Sequence, residues 1–186
     1  MDNQIFSALI PDASATTRTQ IAKTLKAFGE PALRFAAEHG TKVRPLGRGE
    51  RYAQASPALV RLGIDVDAWP APPAGLFVVE ERTVYVRSRS AMTISHEFGH
   101  ALDCALGNGV YRSGIDPDIR AAFSAARQFV TPYAATGLDE YFAECGRSWV
   151  EANDPASPWP PVSRERLQRL DPAMHDILAR IFAGFG

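Results

Sequence analysis

The chain has 186 residues, 46% of them hydrophobic and 22% charged, with a formal net charge of −1. That length and balance allow one well-buried core, and near-neutrality leaves no electrostatic footprint for nucleic acid or an anionic membrane. No apolar run approaches the roughly 20 residues needed to span a bilayer, and the start, Met1-Asp2-Asn3-Gln4, lacks the basic and apolar regions of an export leader. The expectation is a cytoplasmic protein by default, with leaderless export left open, no nucleic-acid or membrane partner, and an oligomeric state that composition does not fix. Two cysteines, Cys104 and Cys145, are too few for a disulfide framework and read as buried thiols.

In chain order, residues 16 to 28 carry Ile21, Leu25 and Phe28 on one face. Residues 31 to 39 follow, with Pro31 suited to a first helical turn. They predict two helices, or one helix bent at Gly29-Glu30-Pro31. Thr41 to Leu46 predicts a short strand and residues 54 to 62 a short helix, while Trp69-Pro70-Ala71-Pro72-Pro73 reads as turn or extended chain. Two β-rich runs, Leu76 to Val79 and Thr83 to Val86, flank Glu80-Glu81-Arg82 and predict a hairpin. If its second strand lies at a sheet edge, Val84 to Arg87 is the candidate to hold an extended peptide by main-chain hydrogen bonds.

Next comes His96-Glu97-Phe98-Gly99-His100, an HExxH string. On an α-helix, residues four apart advance about 400°, so His96 and His100 face the same way and can grip one metal ion. Glu97 is offset by about 100°, which places a carboxylate beside the metal as a proton acceptor. Ser88, Ser90 and Thr93 are candidate N-caps, Gly107 a candidate terminator, and Ile94, Phe98, Ala101 and Leu102 predict a helix buried all round. A catalytic zinc needs a third protein ligand and an open position. The extended HExxHxxGxxH solution fails, since positions 103 and 106 are Asp103 and Leu106. His39 and His175 lie on segments that read as helix surface or helix end.

After a helix predicted at about 117 to 129, Gly137 introduces another with Asp139 and Glu140 in its first turn. Glu140 and Glu144, four apart, share a face and leave a carboxylate from this helix as the remaining common third ligand. Asp103 and Glu144 are both candidates to accept the far N–H of a metal histidine. Asn153 to Val162, with four prolines and Trp159, reads as an ordered surface loop. Ser163 to Leu170 and Pro172 to Phe182 then predict two closing helices.

The string HEFGHALD, followed by Tyr133 and, seven residues later, by Glu140 in EYFAE, resembles the catalytic domain of anthrax lethal factor and its relatives, which include the Pro-Pro endopeptidases. The resemblance covers residues 75 to 150. It implies an α+β, zincin-like fold, mainly helical, with a small mixed sheet or hairpin packed on the HExxH helix. It also implies one Zn2+ held by His96, His100 and Glu140, with Glu97 as general base and Tyr133 as hydrogen-bond donor to the oxyanion of the tetrahedral intermediate.

The expected function is a zinc-dependent endopeptidase acting on a protein or peptide substrate, as an effector, toxin or regulatory protease. The alternatives are a metal-binding interaction module without catalysis and a zinc hydrolase of a non-protein amide. We expect residues 1–186 to form a single catalytic domain. Within it, 1–70 is an N-terminal helical and mixed portion, 75–150 the metal-site core, and 153–186 a C-terminal loop and helices.

Overall fold

A computed structural model describes residues 3 to 185. It opens with α1 (Asn3–Leu9) and α2 (Ala15–Leu25), the latter capped by Ser14, whose Oγ accepts from Thr17 N. A 3-10 turn over Lys26–Phe28 then stops at Gly29, with φ of 84°, before α3 (Glu30–Glu38) starts with Pro31 in its first turn. The left-handed glycine breaks the path, so this stretch is two helices and not one bent one.

Strand β1 (Lys42–Pro45) is followed by α4 (Tyr52–Ala55) and α5 (Pro57–Leu62), where a single helix over 54–62 was expected. The break is local chemistry. Ser56 precedes a proline, is excluded from the helical region, and instead caps α5 by accepting from Leu59 N at 3.2 Å.

The expected hairpin forms from β2 (Gly75–Val78) and β3 (Thr83–Val86), joined through a 3-10 turn and Arg82 in the left-handed region. The sheet order is β1-β3-β2, with β1 parallel and β2 antiparallel to β3. The second hairpin strand is therefore central, which corrects the expectation that Val84 to Arg87 offers a free edge. Its main chain is already paired on both sides. The edge beside the HExxH helix is β2. Arg87 N donates to Ala74 O, so the alternating antiparallel ladder turns residues 76 and 78 toward β3 and leaves the main chain of Gly75 and Phe77 on the far side, where the Phe77 backbone meets the Glu97 carboxylate.

Helix α6 (Ala91–Leu106) carries the HExxH string and is buried from Thr93 to Ala105. One apolar cluster packs Leu9, Ile21, Leu25, Phe28 and Leu33 of the N-terminal helices with Phe77, Val84 and Val86 of the sheet against Ile94, Phe98 and Leu102 of α6. That is the work of the first forty residues, which carry no recognisable motif. The other sheet face, Val78 and Tyr85, covers Tyr52, Leu59 and Val66.

Beyond α6 come α7 (Arg112–Ile115), α8 (Pro117–Ala125), α9 (Leu138–Trp149), α10 (Arg164–Leu170) and α11 (Pro172–Ala183). Helix α8 stops four residues before its expected end. The chain turns back there, so that the Phe129 ring packs 5.5 Å from Phe123 and 5.9 Å from Tyr141. Ile119, Tyr141, Phe142, Leu167, Met174 and Leu178 make a second apolar cluster among these helices. Helix α6 thus lies between the sheet on one side and α9 on the other.

Candidate metal centre

Ser90 starts α6 by accepting from Thr93 N at 3.1 Å, and six residues later the first histidine faces α9. His96 Nε2 and His100 Nε2 stand 3.2 Å apart. Glu140, in the first turn of α9, brings its Oε2 to 3.1 Å from the first nitrogen and 3.3 Å from the second. A tetrahedral zinc with bonds near 2.0–2.1 Å has ligand atoms about 3.3 Å apart, so the triangle fits one face of such a site. Glu140 Oε2 is buried and makes no hydrogen bond despite these approaches. Three acceptor-bearing atoms converging on one point can hold a metal ion.

The electrostatics agree. Burial works to lower the His96 pKa, but Glu140 and Glu144 beside it hold it up at about 10. Burial works to raise that of Glu140, but His100 and His96 hold it far below the usual carboxylate range. The cluster therefore favours positive charge at its centre, whether from a proton or a metal.

The support behind His96 is Glu144, one turn after Glu140. Its Oε1 lies 2.8 Å from His96 Nδ1, which fixes the imidazole with Nε2 toward the ion position when Nδ1 carries the proton. The same carboxylate accepts from Thr131 Oγ1 at 2.6 Å and from Arg147 Nε and Nη2 at 3.0 and 2.8 Å. Burial would raise the Glu144 pKa, yet His96 and Arg147 hold it down to about 2.

Asp103, the other candidate for this support, does something else. Its two oxygens take the backbone N–H and hydroxyl of Ser113 at 2.8 and 2.5 Å, which ties the end of α6 to α7. His100 Nδ1 is buried with no hydrogen-bond partner.

Glu97 is buried beneath the start of β2, and a Cβ added at Gly75 would sit 2.5 Å from its Cγ. Desolvation raises its pKa, with His96 and His100 pulling the other way. Tyr133 stands in a 3-10 turn before α9, 48% exposed, its ring 5.5 Å from that of His96. Its hydroxyl donates to Glu140 Oε1 at 2.9 Å. Burial and the Glu140 charge raise the phenol pKa, so it is a neutral donor.

All five expected site residues therefore meet in one place. Three of them, His96, Glu97 and Tyr133, line a cleft of about 320 Å³ together with Glu144, Gly75 and Trp159. A larger hollow, about 640 Å³, lies between charged residues such as Arg34, Asp116 and Arg180 and touches none of them.

The remaining histidines are elsewhere. His39 Nδ1 bonds Phe35 O, and His175 lies against Asp176 and Trp149. Both cysteines are free and buried, outside the candidate metal group.

Sequence reasoning passed over Gly75, Gly99, Thr131 and Arg147. The only available signal was the Glu144-to-Arg147 spacing, three apart on one helix face.

No protein-family model matches this chain, and no curated protein matches it in sequence. Among solved structures, it is similar to the Pro-Pro endopeptidase PPEP-2 from Paenibacillus alvei, with a TM-score of 0.66 and 20% identity. The match covers 95% of this chain and 99% of that one. At that identity the likeness is one of fold, and it establishes the α+β, zincin-like architecture expected from the sequence.

Proposed function

We propose that the chain is a zinc-dependent endopeptidase. The observation that carries this reading is the triangle of His96 Nε2, His100 Nε2 and Glu140 Oε2, with sides of 3.1 to 3.3 Å, opening beside the buried carboxylate of Glu97. Zinc bound by those three residues supplies a Lewis acid that acidifies water and polarises a carbonyl.

The residues around it have separable tasks. Glu97, with a pKa raised by desolvation, accepts a proton from the attacking water and returns it to the departing amine. Tyr133 holds its proton against the neighbouring charges and turns its hydroxyl from Glu140 to the carbonyl oxygen as negative charge develops there. The outward-facing main chain of Gly75, directly above Glu97, gives an extended peptide a strand to pair with. That edge favours a peptide over a small amide as substrate. Glu144 keeps His96 in its ligating orientation.

Of the branches within the sequence resemblance, the likeness to PPEP-2 favours the Pro-Pro endopeptidases over lethal factor. Peptides containing a proline pair are therefore the first substrates to try.

The test is Glu97→Gln. Wild type should cleave members of a proline-containing peptide library and the variant should not, with zinc content equal in both. Equal activity, or no cleavage by wild type across the library, rejects the reading.

A further inference from the structure

We propose that Trp159 is a specificity-determining residue, an apolar shelf on which an uncharged side chain next to the scissile bond stacks. This rests on the peptidase reading above. The first observation is what engages the tryptophans. Trp149 is packed, stacked at 5.5 Å on Phe182 and covered by the Arg164 guanidinium at 4.1 Å. Trp159 lines the same cleft as His96 and Glu97, yet it is 48% exposed, and no ring, cation or hydrogen bond engages its indole among the described residues. Indole left open to water at the wall of a polar site is apolar area that a ligand can cover.

The second observation is how the indole is held. Pro158, Pro160 and Pro161 flank it and restrict the backbone, and the Trp159 backbone N–H donates to Ser157 Oγ at 3.2 Å. The loop is closed at its base by Asn153, which donates from Nδ2 to Val162 O and accepts from Val162 N, both at 2.8 Å. At its root, Ala152 O accepts from Arg147 Nη1 at 3.0 Å. Arg147 in turn grips Glu144, which holds His96. The shelf is therefore fixed relative to the metal group through three consecutive polar contacts. A pre-set wall of this kind loses little conformational freedom on binding.

The occupant follows from the surroundings. The Gly75 edge runs along the same cleft, so a peptide paired to it is extended and sends alternate side chains to opposite faces. Met92 lines the same hollow as Trp159, the nearby Arg147 charge is already matched by Glu144, and Asp154 adds a carboxylate, so an anionic side chain finds no counter-charge there while the indole and Met92 offer apolar area. An apolar residue, aliphatic or prolyl, fits.

The experiment uses decapeptides with one fixed proline pair and flanking positions varied among apolar, small and charged residues. Wild type, Trp159→Ala and Trp159→Phe are compared, with zinc content and thermal transition recorded. W159A should raise KM roughly ten- to a hundredfold on the preferred peptide, leave kcat within a few-fold, and flatten the preference at one flanking position. W159F should retain most of that preference. If W159A loses zinc or its thermal transition, W159L takes its place with the same expectation.

Unchanged KM and preference overturn the assignment while leaving the peptidase reading intact, as does a loss confined to kcat. No cleavage by wild type overturns both.

Discussion

Gly99 of α6 lies against Ala143 of α9 so closely that a Cβ at Gly99 would stand 2.9 Å from the Ala143 Cα and 3.2 Å from its carbonyl oxygen. Those are backbone atoms and cannot swing aside. The contact sets how near the two helices come, and with it the 3.1 and 3.3 Å separations between Glu140 and the two histidines. Gly99→Ala should therefore weaken zinc binding at least tenfold, even though alanine is the better helix former by about 1 kcal/mol. Isothermal titration with zinc is the check. Wild-type affinity in G99A would mean that the helix approach does not set the donor geometry.

Gly75 plays the matching part for the base. A Cβ there would meet Glu97 Cγ at 2.5 Å and Thr93 Cγ2 at 2.8 Å. Gly75→Ala displaces the carboxylate without touching either histidine, so zinc affinity should stay within a few-fold of wild type. Turnover of a cleaved peptide should fall by 10²-fold or so, the usual consequence of misplacing a reacting group by about 1 Å. Steady-state kinetics on the zinc-loaded variant separate the two effects. Unchanged kcat would show that Glu97 tolerates the shift.

These two glycines also mark the limit of what the chain discloses without its fold. His96, His100 and Glu97 were legible because a helix converts their spacing into direction, and Glu140 because a resemblance named it among two acids on one face. Gly99 occupies a position that HExxH leaves free, and its importance arises only from Ala143, more than forty residues away. The edge strand is hidden for a related reason. Thr83 to Val86 reads as one arm of a hairpin, and nothing local announces that Lys42–Pro45 returns to pair with its far side. Asp103 and Glu144 looked equivalent as supports for a histidine. Ser113 decides between them by engaging both oxygens of the first.

Breaking the Glu144–Arg147 pair should be costly from either side, but only the loss of Glu144 should reach the metal ligands directly. Both side chains are almost completely buried, 6% and 3% exposed. Arg147→Met leaves an unmatched carboxylate in the interior, and a loss of about 3–5 kcal/mol is expected. Glu144→Gln leaves the guanidinium unmatched and also removes the charge facing His96 Nδ1, so zinc affinity should fall about 10–100-fold along with stability. Urea denaturation of the metal-free proteins and zinc titration of the folded ones measure the two losses. A stable R147M variant would mean that the pair is not held in the desolvated geometry described above.

Acid sensitivity should come in part from Glu81, which lies outside the metal group. Its carboxylate accepts from Ser56 Oγ, Ala58 N and Tyr85 Oη, each at 2.8 Å, pinning the start of α5 to the hairpin. Burial alone would raise its pKa, but these three donors bring it below the ordinary value of 4.5. A folded-state pKa below the unfolded one means that the native state holds its proton less tightly. The associated stability is fully present above about pH 4.5 and drains away as pH falls through the lower, folded value. Glu81→Gln should thus cost about 1–3 kcal/mol at pH 7. The gap between wild type and variant should then narrow below pH 4 or so, as protonation makes the wild-type side chain neutral too. Denaturation midpoints for both proteins between about pH 3 and 8 trace that gap. A gap that stays constant over the whole range would assign the loss to packing or hydrogen-bond geometry instead of to the ionised carboxylate.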